Sequence, residues 1–350
     1  MELAKKYVDF AVEKTVELLN IDSPTGFTKK AAAWVKETFE SLGCKAEITN
    51  KGAVLVTFDA PEVPSEEGAV IFEAHTDTLG AMVAEIKPDG RIRATNVGGL
   101  TAANVETEDV KIYTRDGRVY EGTFQLIDAS LHVNRDFSSI ERSFNTIEVV
   151  IDEKVFSKED VKNLGISVGD YICPNPRAHV TSSGYIKSRF LDDKLSVGIL
   201  IGFAKFLQEE KIRLKRQAYA LITVYEEVGH GGAANIPADV TEAISVDMGC
   251  VGSGLECQEH QVSICAKDSG GPYDYEVTGK LIEAAKREGA DYAVDVYPMY
   301  GSDVEVTLRA GYDVKHGLIG SGVYASHGYE RSHVDGVEAS IKVLKGYLMV

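Results

Sequence analysis

Acidic and histidine residues in this chain fall directly after apolar, strand-like runs. His75-Thr76-Asp77 follows the run 69–74, Glu226-Glu227 follows 221–224, and Asp247 follows 244–246. Open α/β sheets bind ligands at the carboxyl ends of their strands. Three strand ends would thus bring an imidazole and several carboxylates to one sheet edge. Singly, each piece has an ordinary explanation. A His-x-Asp pair commonly sits at a surface or in a core, and adjacent glutamates commonly face solvent. Asp247 could cap a turn, and Asp192-Asp193 could cap a helix beginning near Leu195. Together they resist that account. Glu226-Glu227 leaves a run with no other charge and precedes Gly229, Gly231 and Gly232. A carboxylate pair at such a junction needs solvent, a counter-charge or a metal, because unpaired buried carboxylates are very costly.

The chemistry this suggests is metal-assisted hydrolysis. Two divalent ions a few ångströms apart need a bridging carboxylate, with a carboxylate and an imidazole completing each side. Imidazole nitrogen mixed with carboxylate oxygen favours zinc, with cobalt or manganese as substitutes, whereas a pure oxygen set would suit magnesium or calcium. A further glutamate beside a ligand is what hydrolysis requires as general base.

The elements that must position these groups can be read from the pattern. Residues 2–19 have helical spacing, Ser23-Pro24-Thr25-Gly26 breaks it, and a second helix is predicted over about 28–42. Strand-like runs follow at 53–58 and 69–74, the second suited to a strand covered on both faces. From about 78 to 183 short alternating runs (81–86, 91–96, 110–113, 119–126, 146–151) are separated by turn signals such as Pro88-Asp89-Gly90 and Asp116-Gly117. That texture predicts a small β barrel or sandwich. Afterwards the αβ alternation returns: a helix over 195–207, strands at 218–224 and 243–246, a helix over about 273–288, a strand near 314–319 and a last helix over 334–348. The predicted fold is α/β, with residues 1–77 and 184–350 forming one domain and 78–183 a β-rich insert.

Composition bounds the partners. The 350 residues are 44% hydrophobic and 26% charged, which is ordinary for a globular chain with ample core. A formal net charge of −17 argues against nucleic acid or an anionic membrane surface as the main partner. Five cysteines without paired spacing read as free thiols of a reducing compartment. No apolar run at the start could serve as a secretion signal, and none approaches transmembrane length, so a cytoplasmic protein is expected.

At this point the residues resemble the di-zinc aminopeptidases of the glutamyl, deblocking and tetrahedral aminopeptidase group. The matching motifs, in order, are His75-Thr76-Asp77, Asp192-Asp193-Lys194, Glu226-Glu227-Val228-Gly229, Val246-Asp247 and Ser326-His327-Gly328, supported by Val168-Gly169-Asp170, Gly271-Pro272 and Gly301-Ser302-Asp303. The resemblance implies a zinc-exopeptidase-like mixed sheet flanked by helices, with a barrel-like inserted domain. It implies that Asp192 bridges two metals, that His75 and Asp247 complete one and Glu227 and His327 the other. Glu226 would be the general base, and Asp77 would hydrogen-bond the far nitrogen of His75. The family assembles through the insert into large hollow particles, so a homo-oligomer acting on peptides is implied.

The late motif departs from the family's His-Ser ending, and His333 rivals His327 for the last ligand position. His230 stands where the family rarely has histidine and is given no role. A di-zinc carboxypeptidase or a deacylase of small amides would use the same ligand types, and a non-catalytic scaffold could keep the fold. Glu226 beside the ligand set argues against the scaffold.

Overall fold

The computed structural model describes residues 3–58 and 65–349; Glu2, at the start of the first predicted helix, lies outside them. Two helices open the chain, α1 (Lys5–Leu19) and α2 (Lys29–Ser41), followed by strands β1 (Lys45–Ile48), β2 (Val54–Thr57) and β3 (Ala69–His75). Six strands come next: β4 (Gly80–Ile86), β5 (Ile92–Val97), β6 (Asp109–Tyr113), β7 (Val119–Leu126), β8 (Ile147–Ile151) and β9 (Tyr171–Pro174), with the short helix α3 (Lys158–Asn163) before the last. The remainder begins with β10 (His179–Val180), β11 (Tyr185–Ser188), α4 (Leu191–Glu209), β12 (Ala218–Thr223), β13 (Val240–Val246) and β14 (Gly249–Val251). It closes with β15 (Val262–Lys267), α5 (Tyr275–Glu288), β16 (Tyr292–Val296), α6 (Asp303–Arg309), β17 (Lys315–Tyr324), β18 (Glu330–His333) and α7 (Val334–Leu348).

The chain divides into two compact units. One comprises Met1–Asp77 with Arg177–Val350, the other Thr78–Pro176. Residues 177–183, grouped with the insert by sequence texture, run with the first unit, because His179–Val180 pairs antiparallel with Ile186–Lys187 of β11. In the second unit β4–β5–β8–β7–β6–β9 close into an antiparallel six-stranded barrel. Ile92, Ile112, Phe124, Val149 and Ile172 are fully buried in it.

The first unit holds a twelve-stranded mixed sheet ordered β1–β2–β12–β3–β13–β17–β18–β11–β10, with β14 and β15 also pairing to β17. Its centre, β12–β3–β13–β17, is parallel. Every residue of β3 is buried, as a continuous apolar run covered on both faces requires. α4 is the most deeply embedded helix: Leu191–Ala204 is buried throughout, and Gly198 and Gly202 let α1 approach. Phe58, Phe203, Phe206 and Tyr7 pack edge to face or stacked around it. The α/β expectation with a mixed sheet and a barrel-like second unit is borne out.

One predicted strand was too short. β17 runs on past the predicted 314–319 through Gly320-Ser321-Gly322 to Tyr324. The glycines allow close packing there: a Cβ at Gly320 would meet the Asp247 carbonyl oxygen and lie 2.6 Å from the Gly249 nitrogen.

Candidate active site

Four adjacent parallel strands end at one edge of the sheet, and each end carries a candidate group. His75 closes β3 in register with Thr223 of β12. After β12 the chain turns through Tyr225, in the left-handed region at φ 73, into a single 3-10 turn holding Glu226 and Glu227. β13 delivers Asp247, whose N–H donates to the Ile319 carbonyl of β17 at 3.0 Å. β17 leads through Ala325 (φ 60) to His327 (φ 62). A fifth group comes from the sheet's helical cover: Asp192 and Asp193 interrupt the first turn of α4 with non-helical backbone, joined by a cis peptide. Lys194 is not part of the cluster; its ammonium donates to the carbonyls of Leu18 and Ile21 at 3.1 and 2.7 Å, tying α4 to the end of α1.

The groups meet closely. His75 Nε2 is 3.1 Å from Asp192 Oδ1 and 3.7 Å from Glu226 Oε2. His327 Nε2 is 3.5 Å from Asp192 Oδ2 and 3.6 Å from Glu227 Oε2. Ligand atoms of His75, Asp192 and Asp247 all lie within 4.8 Å of one another. Asp192 therefore stands between the two histidines. His333 does not reach the cluster. Its Nε2 contacts the Ser183 carbonyl at 2.8 Å, while Nδ1 accepts the Asp335 N–H and caps α7. His230 is exposed, and its backbone carbonyl accepts from Lys51 at 2.6 Å.

Asp77 acts on His75 differently from the expectation. The His75 Nδ1 donates to the Asp77 backbone carbonyl at 2.9 Å, and the Asp77 carboxylate lies farther off at 3.7 Å. That carboxylate instead accepts the Thr25 hydroxyl at 2.6 Å and the Glu226 N–H at 3.2 Å. Nδ1 is thus taken up by that carbonyl, and Nε2 is the nitrogen directed at Asp192. The helix-breaking Ser23–Gly26 segment thus has a second use, since Ser23 also donates to the Thr76 carbonyl at 2.7 Å.

Three supports stand outside the site residues expected from sequence. Glu330 accepts the N–H groups of both Asp192 and His327. Lys51 donates to the carbonyls of His230 and Gly231 at 2.6 and 2.5 Å, holding the loop that follows Glu227. Asp303, at the start of α6, accepts the Thr223 hydroxyl and the Gly232 N–H, the latter at 2.7 Å. Only Asp303 fell within a flagged motif.

So many buried acids shift one another. Burial pushes Glu226 and Glu227 well above the usual carboxylate range, and the charge of Asp192 adds to this for Glu227. Burial, with Asp192, raises Asp247 to about 7. Burial works against charge on Asp192 too, but hydrogen bonds from His327 and His75 hold it below the ordinary range. Burial likewise disfavours a charged His75, yet its bond to Asp192 and the nearby acids raise it well above the usual imidazole value. Buried Asp193 Oδ1 and Glu227 Oε1 have no hydrogen-bond partner among the described residues. Orphaned carboxylate oxygens beside imidazole nitrogens are the donor set that divalent cations satisfy, so these residues fit a metal. A cavity of about 430 Å³ opens over them, walled by Met248, Cys250, Tyr300, Val306 and Arg309.

This arrangement fits the class of metal-dependent hydrolases, and the relatives specify it further. Residues 52–343 match the M42 glutamyl aminopeptidase family, and the chain belongs to that family. It is accordingly a metal-dependent aminopeptidase, a hydrolase of peptides. The Bacillus subtilis protein YhfE, which carries an aminopeptidase name, is 39% identical over 342 residues, covering 97% of this chain and 98% of its own. Glutamyl aminopeptidase of Lactococcus lactis is 25% identical over 224 residues, 63% of this chain and 61% of its own. Among solved structures, the TET aminopeptidase of a Thaumarchaeota archaeon superposes with TM-score 0.86 at 18% identity, covering 97% and 96% of the two chains. The Pyrococcus horikoshii TET1 peptidase, described as assembling into a tetrahedron or a large octahedral shell, superposes with TM-score 0.83 at 21% identity over 97% and 99%. Among the described residues no helix is long and apolar enough to cross a membrane.

Proposed function

We propose that this aminopeptidase removes N-terminal residues from peptides at a centre of two divalent ions, zinc in the first instance, with cobalt or manganese able to substitute. Asp192 bridges them, His75 and Asp247 hold one, and Glu227 and His327 hold the other. The observation that carries this reading is the convergence of four neighbouring parallel strand ends on Asp192, with an imidazole and carboxylates on each of its sides. When bound, the ions supply Lewis acidity and charge stabilisation at the scissile carbonyl.

The chain's own residues do the rest. Glu226 lies beside His75 at the cavity wall and belongs to neither ligand set. Its carboxylate takes a proton from the attacking water and returns it to the nitrogen of the leaving amine. Burial that raises Glu226 makes it the stronger base. Asp77 orients both partners, His75 through its backbone carbonyl and the Glu226 backbone through its carboxylate. The cavity over the acids suits the end of an extended peptide rather than a folded surface.

The barrel of the second unit serves as the assembly element of a homo-oligomer, a reading supported by the described assembly of the Pyrococcus horikoshii relative, and the enzyme works in the cytoplasm. Aminoacyl-nitroanilides assayed on chelated protein, then on protein returned to zinc, cobalt or manganese, test the central reading. Release of nitroaniline only from free-amine substrates, and only with metal, is expected. Equal cleavage of N-blocked substrates would overturn it.

A further inference from the structure

Glu330 is a buried acid outside the proposed ligand set. It opens β18 opposite Ser188 of β11 and is 2% exposed. Its two carboxylate oxygens serve different segments of the chain. Oε2 accepts the N–H of Asp192 at 3.1 Å, and Oε1 accepts the N–H of His327 at 2.9 Å. Neither N–H belongs to a regular ladder. Asp192 sits at φ −73, ψ 102 where a helix should already have formed, and His327 sits in the left-handed region at φ 62. Left-handed backbone at a residue other than glycine persists only where its surroundings over-determine it. The side chains of the same two residues face each other, with His327 Nε2 3.5 Å from Asp192 Oδ2.

We propose that Glu330 is a positioning residue that holds Asp192 and His327 as one preset pair of metal ligands; this rests on the two-ion reading above. The carboxylate bonds both backbones. One change in its place therefore moves two ligands at once: His327, which belongs to the ion that Glu227 completes, and Asp192, which that ion shares with the other. A strand-edge role would not need a carboxylate, because β18 pairs with β11 through its backbone. An uncharged amide in the same volume offers one acceptor oxygen and turns an NH₂ toward the other N–H.

The test titrates cobalt(II) into the full-length, chelated chain and follows the visible absorption of the bound ion, with metal-free melting and far-UV circular dichroism alongside. Wild type is expected to take up two equivalents. In Glu330→Gln one equivalent is expected to bind about 10- to 100-fold more weakly, the range for loss of a group that orients a ligand. Its absorption band should shift while metal-free melting stays near wild type. Glu330→Asp, which keeps both acceptors on a shorter arm, provides the second reading. Wild-type-like cobalt binding in a folded Glu330 variant overturns the proposal. So does loss of the metal-free fold in both variants, since Glu330 would then hold the sheet rather than the site. A wild type that takes up no cobalt removes the two-ion reading itself, an outcome visible without any variant.

Discussion

His75 Nε2 and Asp192 Oδ1 stand 3.1 Å apart although 117 residues separate them in sequence. The sheet supplies one and the kinked start of α4 the other, and the contact is doubled by the His75 N–H donating to Asp193 Oδ2 at 3.2 Å. Asp192 Oδ2 also lies 3.5 Å from Nε2 of the other imidazole, His327. Asp192→Asn keeps the shape but removes the charge shared by both sides of the cluster. Metal affinity should fall by more than the roughly 10- to 100-fold typical of outer contacts, read as metal content after dialysis. A variant that retains wild-type metal would remove Asp192 from the centre.

Glu226 separates chemistry from binding. Its side chain is 3.7 Å from His75 Nε2, while the imidazole's closer partner is Asp192. Glu226→Gln should therefore keep its metal and its KM for a nitroanilide substrate while kcat drops about 10²- to 10⁴-fold, the range for loss of a general base. Undiminished kcat would assign the proton to another group.

The chemistry was legible where sequence and topology share a rule. Apolar runs ending in His75, Glu226-Glu227 and Asp247 announced their placement, because a parallel sheet presents successive strand ends at one edge. The partner of the far His75 nitrogen was not legible. The spacing His-x-Asp cannot tell a carboxylate from a backbone carbonyl two residues on, and the carbonyl took the bond. Glu330 and Lys51 were invisible for another reason: their contacts join segments 138 and 179 residues apart, a separation that local pattern does not encode. β15 and β16 also escaped. They are short and carry Ser263, Cys265 and Asp295, which blurs the alternation that marks a strand.

Of the glycines after Glu227, Gly231 and Gly232 are required by packing, whereas Gly229 has open space around it and a φ of 77. A Cβ at Gly232 would meet the Asp303 carbonyl oxygen and lie 2.5 Å from Thr307 Oγ1 and 2.7 Å from Glu73 Oε2. These atoms are buried, and Glu73 is held by Thr307 at 2.9 Å, so none can retreat freely. Gly232→Ala should destabilise the protein by about 1–3 kcal/mol, as overpacking does, visible as earlier denaturant unfolding. Turnover should fall further than stability does, because the displaced loop carries Glu226 and Glu227. Unchanged unfolding and turnover would mean that the loop has slack the packing does not show.

Acid resistance should depend on a different carboxylate, far from the cluster. Glu242 on β13 is 5% exposed. Burial works against its charge, but the Tyr347 hydroxyl at 2.6 Å, Lys280 at 2.9 Å and Arg216 at 2.7 Å outweigh it and hold its pKa below the ordinary value of 4.5. A depressed carboxyl contributes stability that is present above its unfolded pKa and is lost as pH falls through its folded pKa. Glu242→Gln should accordingly melt below wild type at pH 7. The gap should shrink as pH drops below about 4.5, where the carboxyl of the unfolded chain takes up its proton first, and close as pH falls through the lower pKa of the folded state. Melting curves of the two proteins from pH 7 down to pH 3 check this. A gap that stays constant across that range would show that the loss comes from packing and hydrogen-bond geometry, with no part played by the charge of Glu242.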